Sequence, residues 1–267
     1  MIHKNFIREK LMVGSPVIGI WSIMNTPLTI DIAAHAGLDF QILDMEHGVY
    51  DLPSLDNCIR AAESVQCSPL IRVPGLDPTI IQNCLDMGAH GIIVPRIKNF
   101  HDVTYVIQAT KFNPIGSRGF NPFTRASGYH PTLPLDTTKL NNTFGLTSII
   151  LENQSALSAL DDILTLPALE MLYIGVYDLS FDLGLHGQID HPEITKIITT
   201  TISKIRKANK FSGIMVKNQE EMEKYLSLNV NMLVYGVDTH LYYSTIKRNV
   251  DAFRKITQVT AEFRLNE

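Results

Sequence analysis

Eight short apolar runs, each separated from the next by a segment long enough for a helix, constrain this chain more than any other feature. The runs are Val17–Met24, Phe40–Asp44, Leu70–Val73, Gly91–Val94, Ser148–Glu152, Met171–Gly175, Gly213–Val216 and Met232–Gly236. Strands that alternate with helices pair in parallel. Near-continuous apolarity marks strands covered on both faces. Eight such units in 267 residues fit a closed (β/α)8 TIM barrel, and no linker or shift in composition divides residues 1–267 into more than one domain. The rival is an open doubly wound sheet, which would favour a Gly-rich phosphate turn after the first strand. Met24 is instead followed by Asn-Thr-Pro-Leu.

The boundaries of the helices are legible. Thr26-Pro27, Asp77-Pro78 and His191-Pro192 place Pro at a first helical position after a capping residue. Gly37 and Gly88 stand where a helix ends before a strand, and Asn229 does the same. One connection is unusually long. From about Asn113 to Asn142 the chain is polar and rich in Gly, Pro and Arg, which predicts a loop that wraps the barrel or reaches a neighbouring subunit.

Composition excludes several classes of function. A net charge of −4 and the absence of a Lys/Arg-rich run argue against a nucleic-acid or membrane-surface partner. No apolar stretch reaches the roughly 18 residues of a membrane span, and the N-terminus does not resemble a signal peptide. Cys58, Cys67 and Cys84 are odd in number and lack framework spacing, so a reducing cytoplasm is expected.

Catalytic residues in such barrels come from the C-terminal ends of the strands. Here these ends carry Asp44, Glu46 and His47, then Arg72, Arg96, Glu152, Asp178, Lys217 and Asp238. So many charges at one rim need partners or a metal. Carboxylates without thiolates or a His cluster favour a hard, oxygen-seeking ion such as Mg²⁺ or Mn²⁺. Glu152 and Asp178 end adjacent strands and can converge on one ion. An Arg offers a planar fork for a substrate carboxylate, and His47 suits acid–base work near neutral pH. Each residue also has a purely structural reading. Asp178 could cap a helix, Glu46 could pair with a surface Lys, and Arg96 and Lys98 could simply be solvated.

Leu43-Asp44-Met45-Glu46-His47, Ile71-Arg72-Val73-Pro74, Leu85-Asp86-Met87-Gly88, Pro114-Ile115-Gly116-Ser117-Arg118-Gly119, Leu151-Glu152, Ile174-Gly175-Val176-Tyr177-Asp178-Leu179-Ser180 and Gly236-Val237-Asp238-Thr239 together resemble the HpcH/HpaI aldolase/citrate lyase family. The match runs in order from about Gly14 to Leu241. The resemblance implies a barrel of the phosphoenolpyruvate/pyruvate type and a class II aldolase. Such an enzyme joins a 2-oxo acid such as pyruvate to an aldehyde, or cleaves the product, with a divalent ion (Mg²⁺, Mn²⁺ or Co²⁺). By position, Glu152 and Asp178 would be the metal ligands, and Arg72 would bind the substrate carboxylate or carbonyl oxygen. His47 would be the acid–base group oriented by Asp86, and Asp44 and Glu46 would brace the ion's remaining ligands. The resemblance also implies a homo-oligomer, hexameric or dimer-based, with the last helix on a neighbour.

Two departures stand out. The family commonly has Gln two residues before the metal-binding Glu, where this chain has Ile150, and Gly-Pro before x-Asp-Leu-Ser, where it has Val176 and Tyr177. Tyr177 could narrow the substrate site or offer it a hydroxyl. Three rivals stay in view. One is a Schiff-base aldolase, for which Lys217 is the rim lysine. The others are a citrate synthase-like or citrate lyase-like enzyme acting on an acyl-CoA thioester, and a non-catalytic binding protein.

Overall fold

Helix caps and apolar alternation build the barrel one unit at a time. In this computed structural model, which describes residues 4–130 and 137–265, the elements run in strict rotation. They are α1 (Phe6–Met12), β1 (Val17–Ser22), α2 (Pro27–His35), β2 (Phe40–Asp44), α3 (Leu52–Ser64), β3 (Ser68–Arg72), α4 (Pro78–Asp86) and β4 (Gly91–Val94). Then follow α5 (Phe100–Thr110), a 3₁₀ turn (Arg125–Ser127), α6 (Thr137–Phe144), β5 (Leu146–Leu151), α7 (Gln154–Ser158), α8 (Leu160–Ile163), β6 (Met171–Ile174) and α9 (Val176–Asp182). The last elements are α10 (Pro192–Lys207), β7 (Phe211–Val216), α11 (Gln219–Ser227), β8 (Met232–Val237) and α12 (Asp238–Leu265). The eight strands close in the order β1 to β8, all parallel, with β8 back against β1. All eight expected strands are present, shifted at their ends by a few residues at most.

The expected punctuation holds except at Thr26, whose side chain makes no cap hydrogen bond. Pro27, Pro78 and Pro192 open helices, and Asp77 and His191 accept backbone N–H groups of their own first turns. Gly37 and Gly88 have φ of +98° and +100°, a conformation most side chains resist.

Period-two alternation splits each strand between two cores. Val17, Trp21, Phe40, Ile42, Leu70, Ile93, Leu146, Ile150, Met171, Tyr173, Met232 and Val234 fill the interior of the barrel. Leu43, Ile71, Ile92, Val94, Ile149, Leu151 and Leu172 face outward onto the helices. The interior is therefore a packed plug, and only its C-terminal end is open.

The long connection differs from expectation at its end, where Thr137–Phe144 is a helix rather than loop. Asn142 anchors it. Its side chain accepts from the Phe112 amide and donates to the Phe112 carbonyl. Residues 131–136 lie outside the described residues. The described part packs against the N-terminal end of the barrel, where helices finish and strands begin. Arg118 pairs with Asp86 at the end of α4, and Arg125 pairs with Glu63 at the end of α3. Glu63 also meets the buried His90.

No described helix is long and apolar enough to cross a membrane. The interior plug makes one stability test direct. Phe40 is fully buried at the base of the plug. Phe40→Ala is expected to lower the unfolding free energy by about 3–5 kcal/mol in urea titration, because the plug cannot collapse into the gap.

Candidate active site

Asp44 is the last residue of β2 and Arg72 the last of β3, and the two strands pair them directly. Asp44 is fully buried and receives Arg72 in a bidentate fork, Nε to Oδ1 at 2.7 Å and Nη2 to Oδ2. The same carboxylate accepts the backbone N–H groups of Glu46 and His47, so one side chain sets both the arginine and the turn that follows. Glu46 folds back to hold Arg72 Nη1 at 3.2 Å on one side and Arg96 on the other, with Arg96 Nε 2.9 Å from its Oε1. The Arg72 guanidinium also lies 4.3 Å over the Trp21 ring. Burial works against the charge of Arg72, but Asp44 and Glu46 outweigh it and raise its pKa. These contacts use three of its five N–H donors, which leaves two for a ligand.

Across the cavity Glu152 follows β5, and its carboxylate accepts the Arg96 backbone N–H. Arg96 reaches that position with a φ of +59°, a strained value for a residue with a side chain. Gly175 gives Glu152 its space, since a methyl group at 175 would sit 2.9 Å from Glu152 Cβ and 2.9 Å from Ile150 Cγ2. Asp178 stands in the first turn of α9, where Gly175 is the cap, so Asp178 is not the capping residue. Burial, together with the facing Asp178 and Glu46 carboxylates, pushes the Glu152 carboxyl up to about 7.

Arg72, Glu152 and Asp178 line one cavity of about 350 Å³ at the C-terminal end of the barrel, with Asp44, His47, Trp21, Tyr173, Ile150 and Tyr177. His47 is exposed at its edge, and Tyr177 is 44% exposed. The cavity adjoins an open vestibule that carries Arg96, Lys98, Ser155 and Asp182.

The donor set, two carboxylates with no thiolate or His cluster, suits a hard divalent cation in its chemistry. Four carboxylates (Asp44, Glu46, Glu152, Asp178) stand near two guanidiniums (Arg72, Arg96), both engaged by Glu46, so the buried Glu152 and the exposed Asp178 have no guanidinium partner of their own. A buried carboxylate with only a backbone donor is where a hard cation would be most stabilising. Among the described residues no cluster of three or more His, Cys, Asp or Glu could hold a metal. Glu152 and Asp178 could therefore supply only two protein ligands, leaving the remaining positions for water and substrate oxygens.

Several expected residues sit elsewhere. Asp86 does not orient His47 within this chain. It ends α4, which runs away from the rim, and it pairs with Arg118 at the far end of the barrel. Asp238 closes the β1–β8 seam by accepting the N–H groups of Ile23, Met24 and Thr239. Lys217 points to Glu221 and Asp190. Partial burial pulls its pKa down, but those carboxylates outweigh this and raise it, the opposite of what a Schiff-base lysine needs. The sequence placed Arg96 at the rim but not as the bridge between Glu46 and Glu152, and it missed Trp21 and Tyr173 on the cavity floor. The inward phase of β1 and β6 was the available signal for the two aromatics.

Known proteins give the same picture. The profile of the HpcH/HpaI aldolase/citrate lyase family matches residues 17–245. A hydroxypyruvate/pyruvate aldolase of Agrobacterium fabrum is 30% identical over 245 residues, 91% of each chain. A 4-hydroxy-2-oxo-heptane-1,7-dioate aldolase of Klebsiella pneumoniae is 31% identical over 238 residues, 89% of each chain. Among solved structures, the citrate synthase SbnG superposes with a TM-score of 0.88 at 26% identity, covering 96% of this chain and all of that one. With its eight parallel strands closed and its charged residues gathered at their C-terminal ends, the chain belongs to the HpcH/HpaI aldolase/citrate lyase family and is, like the aldolases it matches, a carbon–carbon lyase.

Proposed function

We propose that the protein is a metal-dependent aldolase that forms or cleaves a 4-hydroxy-2-oxo acid, with pyruvate or a related 2-oxo acid as one fragment and an aldehyde as the other. The observation that carries this reading is a single cavity in which a largely buried, carboxylate-braced arginine is lined up with Glu152 and Asp178, neither of which pairs with a guanidinium. The names of the Agrobacterium and Klebsiella relatives support the substrate class.

In this reading Glu152 and Asp178 hold Mg²⁺ or Mn²⁺, which when bound supplies Lewis acidity toward the 2-oxo group. Arg72 turns its two remaining N–H donors to the substrate's carboxylate or carbonyl oxygen. As negative charge gathers on that oxygen during carbon–carbon cleavage, a guanidinium already fixed by Asp44, Glu46 and Trp21 needs no reorganisation to stabilise it. His47, at the edge of the cavity, takes the proton of the 4-hydroxyl as the C3–C4 bond breaks and the aldehyde leaves, and the enolate so formed takes a proton at C3 to give the 2-oxo acid. In condensation it returns that proton to the new alcohol. Asp44 positions His47 through its backbone N–H. The wall beside the carboxylate pair is apolar at Ile150, and the exposed Tyr177 also lines the cavity.

A second reading is favoured by that apolar wall and by the likeness to the citrate synthase: condensation of an acyl-CoA thioester with an oxo acid. Release of free thiol from acetyl-CoA in the presence of an oxo acid would favour it. The aldolase reading expects no thiol release above background.

The metal assignment has a direct test. Glu152→Gln combined with Asp178→Asn is expected to abolish Mn²⁺ binding by calorimetry. It should also lower kcat/KM at least about 100-fold with the barrel still folded. Full activity of that variant in metal-free buffer would refute the assignment.

The protein is also proposed to be a homo-oligomer, hexameric or dimer-based. Support comes from α12, where Tyr242, Ile246, Val250, Phe253 and Ile256 recur at three- and four-residue spacing and are all exposed in the single chain. Phe253→Asp with Ile256→Asp is expected to shift the species in sedimentation to a smaller size. An unchanged sedimentation coefficient would remove α12 from the interface.

A further inference from the structure

Tyr173 lies on the inner face of β6, and its side chain forms part of the floor of the cavity. It is only 4% exposed. Its hydroxyl oxygen accepts a hydrogen bond from Trp21 Nε1 at 3.1 Å. The two rings meet edge to face, with centroids 5.3 Å apart and planes at 88°. Trp21 in turn carries the Arg72 guanidinium on its face. The hydroxyl is thus tied to the one arginine that lines the cavity, through a rigid indole.

A phenol donates one proton as well as accepting one. Among the described residues no acceptor takes the Tyr173 proton, and the neighbouring lining residues Ile150, Met215 and Val237 are apolar. Burial raises the phenol pKa, against the pull of Trp21 and Arg72, so this group remains a neutral donor. A buried donor without an acceptor is costly, and such groups usually mark a place where another molecule completes the pair. Packing does not require the oxygen, because the edge-to-face contact belongs to the ring. Arg72 and the carboxylate pair already account for the carboxylate and the 2-oxo oxygen of a substrate. A third polar group on the floor calls for a third substrate oxygen.

We propose that Tyr173 is a specificity-determining residue whose hydroxyl donates its proton to a hydroxyl on C3 of the bound 2-oxo acid. The pocket thereby favours a hydroxypyruvate-type donor over one with a bare methyl group. This inference rests on the aldolase reading. It goes beyond that reading by naming the donor and the atom that selects it. The discrimination is of the strong kind, since a donor lacking the hydroxyl leaves the phenol proton unpaired.

Tyr173→Phe keeps the ring and removes the oxygen. With one aldehyde as common acceptor, kcat/KM for hydroxypyruvate is expected to fall roughly tenfold or more. The value for pyruvate should fall by a clearly smaller factor, and circular dichroism reports that the variant is folded. Calorimetric titration of the two acids into both proteins in the presence of Mn²⁺ should show the same change in their affinity ratio. Equal losses for both acids, or no loss for hydroxypyruvate, would overturn the proposal. If the wild type condenses neither acid, the aldolase reading fails. The affinity ratio still decides on Tyr173, with an unchanged ratio counting against it.

Discussion

Arg72 leaves β3 into surroundings that would ordinarily expel a charge. The side chain keeps it because Asp44, its direct neighbour in the β2–β3 register, meets it with both carboxylate oxygens, and Glu46 closes the other side. Removing any member would strand a buried charge, which makes the group act as a unit. The same arrangement over-supplies negative charge. Arg72 and Arg96 balance Asp44 and Glu46, and neither guanidinium pairs with Glu152 or Asp178. The proposed metal, the position of the substrate and the need for a closed floor all follow from that imbalance. Trp21 underlies it from below, so the floor and the charge cluster cannot be altered independently.

The two ends of the barrel use charge differently. At the far end Arg118 meets Asp86, Arg125 meets Glu63, and Lys111 reaches Glu170 and two backbone carbonyls. Each cation there has a local anion, and the pairs pin loop to helix. At the C-terminal rim the anions outnumber the cations. A surplus of one sign in a cavity is destabilising unless a ligand completes it, and it is the feature that separates a site from a set of structural ion pairs.

Much of this was legible in the sequence because barrel periodicity is local. The strand runs, Pro27, Pro78 and Pro192, and the Gly37 and Gly88 exits each depend on a few neighbouring residues, and all appear where expected. Asp44, His47, Arg72, Glu152 and Asp178 could be placed at one end simply by following the strands, and they do line one cavity. What could not be read depends on distance between elements. Asp86 belongs to a recognisable Leu-Asp-Met-Gly run, but its partner is decided by the direction of α4, which delivers it to Arg118. Arg96 reads as a solvated rim residue until the strained turn after β4 aims its backbone at Glu152 and its side chain at Glu46. Tyr173 reads as ordinary apolar filling, and only the closure of β1 against the rest of the sheet sets its hydroxyl on the Trp21 indole. The helix at Thr137–Phe144 was hidden by polar residues, since its anchoring comes from Asn142 rather than from an apolar stripe.

Glu152 and Asp178, the pair left without a guanidinium, are proposed to share a divalent ion beside Arg72. A crystal grown with Mn²⁺ and soaked with pyruvate, measured at a wavelength where manganese scatters anomalously, tests this most directly. A single strong anomalous peak is expected between the two carboxylates, with an oxygen of the bound acid within hydrogen-bond distance of the Arg72 guanidinium. Carboxylates facing apart with no peak between them, or pyruvate bound away from Arg72, would contradict it.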